Sequence, residues 1–311
     1  MIFKITLIAV AVLLITAVPG YLLIKKKMIG EECISGFSKV LLYVCQPCLA
    51  IYTFKSAEYS PEKLLEIGIF ALLSLGIVLL MLSVAYLVLR KRCKDPVYRI
   101  ITIATTFSNC AFFGIPIIEA LMPEQAAGMM IFTTVFAVVM NVAGWTVGSA
   151  IISQNPKYMS AKKIFLNPAT IGTAVALLLF ITEAPIQSDL ESMITILGKM
   201  CSPLSMLIMG MRLATMKFLP MFTDIRIYLT VLVKQMVMPA VAFLMVYFLP
   251  ISVEMSSAFF IVCACPAASV VLNFAEIVGE GQKEAANTVL LSTILSIVTM
   301  PIMMLLLPLL A

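Results

Sequence analysis

Apolar runs of about twenty residues recur along the whole of this chain, and that is the length an α-helix needs to cross the roughly 30 Å hydrocarbon core of a bilayer. Few folds satisfy such a pattern. A membrane β-barrel would instead show alternating segments of about ten residues, and these runs do not alternate. Composition agrees: 62% of the residues are hydrophobic, 12% are charged and the mean hydropathy is +1.10, where a soluble domain carries roughly 25% charged residues. The expected class is an all-α polytopic membrane protein.

Ten spans are predicted. They run Phe3 to Ile24, Ile34 to Phe54, Glu66 to Leu89, Val97 to Leu121, Gln125 to Ile152, Ile164 to Ile181, Met193 to Ala214, Ile225 to Leu249, Met255 to Val278 and Ala285 to Leu310. Met1 to Pro19 is read as part of a retained first span rather than a signal peptide, because no small-x-small cleavage site precedes the polar loop. The loops after odd-numbered spans hold Lys25, Lys26, Lys27, Lys39, Arg90, Lys91, Arg92, Lys94, Arg99, Lys157, Lys162, Lys163, Arg212, Lys217, Arg226 and Lys283. The opposite side keeps Lys4, Lys55 and Lys63 and collects Glu58, Glu62, Glu119, Glu124, Glu183, Asp189, Glu191 and Glu254. By the positive-inside rule the first set is cytoplasmic, which puts both termini outside the cytoplasmic membrane. The net charge of +5 is thus accounted for by orientation and implies no nucleic-acid partner.

Cofactor chemistry finds little support. The eight cysteines lie mostly inside apolar runs, as buried thiols do, and the single CxxC, Cys45 to Cys48, has no second pair. Histidine is absent, which removes the commonest metal ligand. Neither a cofactor nor a metal is expected.

Two spans stop behaving like ordinary apolar helices. The fourth contains TFSNCAFFGIP, Thr106 to Pro116, and the ninth contains CPAASVVLN, Cys265 to Asn273. Pro116 lacks an amide hydrogen and clashes with the carbonyl four residues back, so a kink or break is expected there, with Gly114 easing it. In hydrocarbon, freed backbone groups are tolerated only where protein or a water-filled cavity satisfies them. One such span would be a tolerated kink; a symmetric pair points to a binding site. Lys199 and Lys234 also fall inside spans, where a lysine costs about 2.5–3.5 kcal/mol. Lys199 can snorkel. Lys234, beside Gln235, is a candidate counter-charge, a stand-in for a coupling ion, or half of an internal salt bridge.

The halves of the chain match at a nearly fixed offset. Glu66-Ile-Gly-Ile-Phe resembles Asp224-Ile-Arg-Ile-Tyr, Pro47 answers to Pro203, Asn109 falls opposite Pro266, and Glu124-Gln-Ala-Ala resembles Lys283-Glu-Ala-Ala. Five spans per half is an odd number, so the second half must enter the membrane from the other side. The predicted domains are a first repeat over 1–152, a cytoplasmic linker over 153–163 and an inverted repeat over 164–311, an architecture of secondary transporters. Crossing the fourth and ninth spans would gather helix amino ends at mid-depth, suited to an anion, with Asn109 and Asn273 as amide donors and acceptors.

These residues resemble the auxin efflux carrier family. NCAFFGIP is similar to that family's asparagine–glycine–proline signature, and the likeness extends to SKVLLYVCQPCLAIY around Pro47, to Asn141 with Trp145, to Asn167-Pro168 and to CPAASVVLN. The resemblance implies a ten-helix fold like that of sodium/proton antiporters and bile-acid symporters. It implies a scaffold of the first, second and fifth spans with their repeats, and an elevator-type movement. Carried over by position, Asn109, Gly114, Pro116, Pro266 and Asn273 would flank the substrate, with Gln46 and Asn141 as further contacts and Lys234 as the charge candidate. The implied cargo is a small carboxylate such as malate or malonate. The ninth span shows no paired acids at its break, unlike a bile-acid symporter sodium site, and Glu276 reads as solvated. The expected partners are a small organic anion, membrane lipid and, as an oligomeric option, a second copy in a homodimer. An intramembrane enzyme would need motifs such as HExxH or GxSxG, which do not occur; a non-transporting sensor is the other alternative.

Overall fold

The computed structural model describes residues 1–154, 161–215 and 222–310. Lys157, Lys217 and most of the expected 153–163 linker lie outside the described residues. The described chain is helical throughout: α1 (Ile2–Lys25), α2 (Cys33–Lys55), α3 (Pro61–Leu89), α4 (Pro96–Ala104), α5 (Cys110–Leu121), α6 (Ala126–Ser153), α7 (Ala161–Phe165), α8 (Pro168–Thr182), α9 (Ser188–Thr215), α10 (Ile225–Tyr247), α11 (Val253–Ala264), α12 (Val270–Val278) and α13 (Gln282–Leu310). Seven of these, α1, α2, α3, α6, α9, α10 and α13, are long and apolar enough to cross a membrane, and α5, α8 and α11 are shorter apolar helices. The protein is therefore a polytopic membrane protein, with fewer continuous long spans than the ten predicted. The twelve residues of α11 rise only about 18 Å, short of a bilayer core of roughly 30 Å.

Helix starts follow from local chemistry. Ser60-Pro61, Asp95-Pro96 and Asn167-Pro168 each place a capping oxygen just before a proline, and each side chain accepts an N–H from the first turn of α3, α4 or α8. The proline there forfeits only a hydrogen bond that the first turn could not have made.

Two helix groups emerge from the packing. In one, α1 lies along α9 and α2 lies against α8 and α9. At Gly20 and Gly210 the α1 and α9 backbones approach so closely that a Cβ on either would fall into the main chain of the other, at Leu207 and Ala17. Such small-residue contacts are how helices associate tightly without a hydrophobic driving force. The second group holds α3, α6, α10, α11, α12 and α13, with aromatic contacts tying α3, α6 and α11, and its α13 also packs along α1 of the first group. Phe70 stacks on Phe132 at 4.8 Å and meets Phe259 edge-on at 5.8 Å. At the start of α3, Lys63 pairs with Glu66 at 3.1 Å and with Glu254 of α11 at 2.7 Å. The scaffold implied by resemblance needs correcting here: α6, the fifth span, packs chiefly on α3 and α11, because Phe132 and Phe136 direct its buried face into that aromatic cluster.

Candidate functional site

Three helices widen into a π turn just before a proline. Leu41–Cys45 precedes Gln46-Pro47 in α2, Cys110–Gly114 precedes Ile115-Pro116 in α5, and Val233–Val237 precedes Met238-Pro239 in α10. Each proline then occupies the second position of the following α-helical stretch. A wider turn moves the carbonyl that the ring would strike and needs no amide from the proline. The break expected at Gly114 to Pro116 is therefore displaced: α4 ends at Ala104, non-helical chain follows, and the helix restarts at Cys110. Pro116 is absorbed inside α5.

The interruption between α4 and α5 meets the one between α11 and α12. Ser108 and Ala267 form an antiparallel bridge. The Asn109 N–H donates to Pro266 O at 2.8 Å, and the Ala268 N–H donates to Phe107 O at 2.9 Å. Ala267 N–H donates to Ser292 Oγ at 3.0 Å. Lys234 Nζ, fully buried, donates to the carbonyls of Cys263 at 2.8 Å and Cys265 at 2.9 Å. Its neighbour Gln235 donates through Nε2 to Ser292 O at 2.9 Å. The two breaks thus satisfy each other's backbone, and α10 and α13 supply most of the rest, as an apolar interior demands.

Beside this junction lies a cavity of about 570 Å³ between the two helix groups. Gln46 of α2, Asn109 of α5, Asn141 of α6 and Asn273 of α12 all line it. Their amides make no side-chain hydrogen bond to another described residue, so they are available to a ligand. The wall also includes residues at the amino ends of α5 (Asn109 to Phe112) and α12 (Ala268 to Val270). Helix starts carry partial positive charge and N–H groups without an intrahelical partner. Lys162 adds a full positive charge, and no carboxylate lines the cavity among the described residues. Ser108 Oγ, in the same wall, is buried without a partner, and a buried hydroxyl of that kind needs water or a ligand. The arrangement favours an anion with several oxygen acceptors.

The remaining expected residues stand elsewhere. Gly114 abuts Cys265, where an added Cβ would sit 3.3 Å from Sγ. Pro266 meets the site only through its carbonyl. Lys234 lies behind the breaks, where it finds carbonyls rather than a carboxylate or the cavity. Pro116 lines a separate, smaller cavity. Glu276, expected to be solvated, is half-exposed and paired with Arg212 at 3.1 Å. Ser108, Ser269 and Lys162 were not singled out as site residues by the sequence. The serines sit beside the asparagine of one break and in the other, which is the signal that would have found them. Lys162 was legible only as a loop charge.

A family model described as membrane transport protein matches residues 5–304 of the chain. No curated protein matches it.

Proposed function

Because the chain belongs to the membrane transport protein family, of the auxin efflux carrier type, we propose that it is a secondary active transporter for a small organic anion, a mono- or dicarboxylate such as malate or malonate. The observation that carries this reading is the joined pair of helix breaks, with two helix amino ends and four unpaired amides facing one cavity of about 570 Å³. Cavities that bind small ligands run from about 300 Å³ upward, and a few placed polar groups set their specificity. Here a carboxylate would take N–H groups from the amino ends of α5 and α12 and amide donors from Asn109 and Asn273, with Gln46 and Asn141 completing the wall. Lys162 would draw the anion towards the mouth.

In this reading the chain makes ten passages, with α4 and α5 together as the fourth and α11 and α12 together as the ninth. Residues 1–152 and 164–311 form inverted five-span repeats whose broken members cross near mid-depth. The group of α1, α2, α8 and α9 stays fixed while the other carries the site across, in an elevator movement. The basic loops are cytoplasmic and both termini lie outside the cytoplasmic membrane.

The experiment is uptake of radiolabelled malonate and malate into proteoliposomes. Wild-type protein accumulates one of them, and Asn109→Ala, which removes the central amide but leaves the backbone bond to Pro266, lowers uptake at least about tenfold, as loss of a hydrogen bond worth about 1.4 kcal/mol or more would. Unchanged uptake in that variant refutes the role of Asn109; no uptake of any small carboxylate refutes the cargo.

A further inference from the structure

A second cavity, of about 320 Å³, is walled by Tyr52, Pro116, Glu119, Lys199 and Ser202 among others, and shares no lining residue with the first. An apolar cluster stands between them. Its members Ala111 and Phe112 border the first cavity, Leu49 and Ile115 border the second, and the buried Cys45, Met130, Cys201 and Leu204 belong to the same cluster. The cluster draws on both helix groups, so it can part where they part.

The numbering relates the two walls. Gly198, Lys199 and Ser202 stand 156 positions after Leu42, Tyr43 and Gln46 of the first cavity, the spacing that joins Pro47 to Pro203. Pro116 stands 157 positions before Asn273 of the first wall, the spacing that joins Asn109 to Pro266. Two different helices thus contribute equivalent positions to two different cavities. Coincidence in one helix would carry little; agreement in α2 with α9, and in α5 with α12, ties the smaller cavity to the larger as its inverted counterpart.

Resting on the inverted-repeat reading above, we infer that the cavity around Lys199 is a second anion site, open to the membrane face opposite the first, and that Lys199 is its cation. Lys199 is exposed, and its Nζ lies 5.3 Å from the centre of the Tyr52 ring, which holds the ammonium in the wall. Ser202 adds a hydroxyl donor, whereas the Thr16 hydroxyl in the same wall already donates to Val12 O at 2.9 Å. Glu119, exposed in the same wall, lies within Coulombic reach of Lys199 without closing to a salt bridge among the described residues, so an incoming carboxylate competes with it for the ammonium. Where the first cavity uses neutral amides and helix ends, the second uses one full charge opposed by another. It is thereby built to take an anion weakly and release it, as an entry or exit station must.

The test needs no knowledge of the cargo. Ser202→Cys, and Thr16→Cys as a second reporter, are expressed in intact cells and treated from outside with membrane-impermeant methanethiosulfonates, one anionic and one cationic, against the wild-type protein with its eight native cysteines as background. Both reporters are expected to react from outside. Adding Lys199→Gln should lower the ratio of anionic to cationic reaction rates about tenfold, the scale of one charge a few ångströms away in a partly hydrated site, and Glu119→Gln should raise it. If neither reporter reacts from outside, or if the ratio is indifferent to Lys199→Gln, the inference is overturned. Failure of malonate and malate uptake would sink the cargo reading alone, since these rates do not depend on it.

Discussion

Lys234 shows how one residue can serve a site it does not touch. The carboxyl end of α11 carries partial negative charge on carbonyls that the break at Pro266 leaves unpaired, and the Lys234 ammonium holds two of them. If the proposed transporter reading holds, a cation fixed in this way would stand where a sodium ion binds at the unwound helix ends of other transporters. Uptake is therefore expected to proceed at the same rate when sodium is replaced by choline, measured as initial rates in proteoliposomes; a strict sodium requirement would contradict this role. Lys234→Met should lower the melting temperature, because each orphaned carbonyl costs about 1–3 kcal/mol, which outweighs the relief of not burying a charge. At this scale the sequence was partly legible. Gln46, Asn109, Asn141 and Asn273 share one cavity because amides inside apolar runs must face something polar. Lys234 could be recognised as unusual, but its partners are main-chain atoms, and no side-chain pattern announces a carbonyl.

At the scale of elements, the contrast between proline and glycine separates what the sequence reveals from what it hides. Prolines 47, 116 and 239 suggest kinks, yet the helices accommodate them by widening for one turn. The real interruptions at 105–109 and 265–269 are held by bonds between segments more than 150 residues apart, a pairing no local rule contains. Glycines are equally silent until the packing is known. Gly210 lies against the Ala17 carbonyl, whereas an added Cβ on Gly76 meets nothing within 4 Å. Gly210→Val should push α1 and α9 apart at a cost of about 3 kcal/mol, seen as a melting temperature several degrees lower in detergent. Gly76→Ala should leave melting unchanged. Equal behaviour of the two would mean that α1 and α9 do not pack by close backbone contact.

For the whole molecule, the question is what holds the two helix groups in the arrangement seen here. Within the first group the α1–α9 contact is backbone on backbone and cannot slide without collision. Between groups the contacts are side chains of moderate size, such as Leu41, Phe112, Met130 and Ile208, which can exchange neighbours. Among the described residues two polar links cross that boundary: the buried hydroxyls of Thr53 in α2 and Thr134 in α6 meet at 3.0 Å, and Arg212 of α9 donates to Glu276 of α12 at 3.1 Å. The Arg212 and Glu276 side chains are both partly exposed, so that pair contributes at most about 1 kcal/mol. That is too little to matter for folding, yet in the proposed elevator cycle it would shift two nearly balanced conformations about fivefold. Arg212→Gln is therefore expected to leave the melting temperature within about 2 °C. It should also weaken apparent binding at the larger cavity up to about fivefold, because the conformation presenting that cavity loses its clasp. The charge exchange Arg212→Glu with Glu276→Arg should restore binding, read by isothermal titration with malonate and malate. If the exchange fails while each single variant melts normally, the link is incidental, and the proposed balance rests instead on the apolar boundary with its buried Thr53–Thr134 bond.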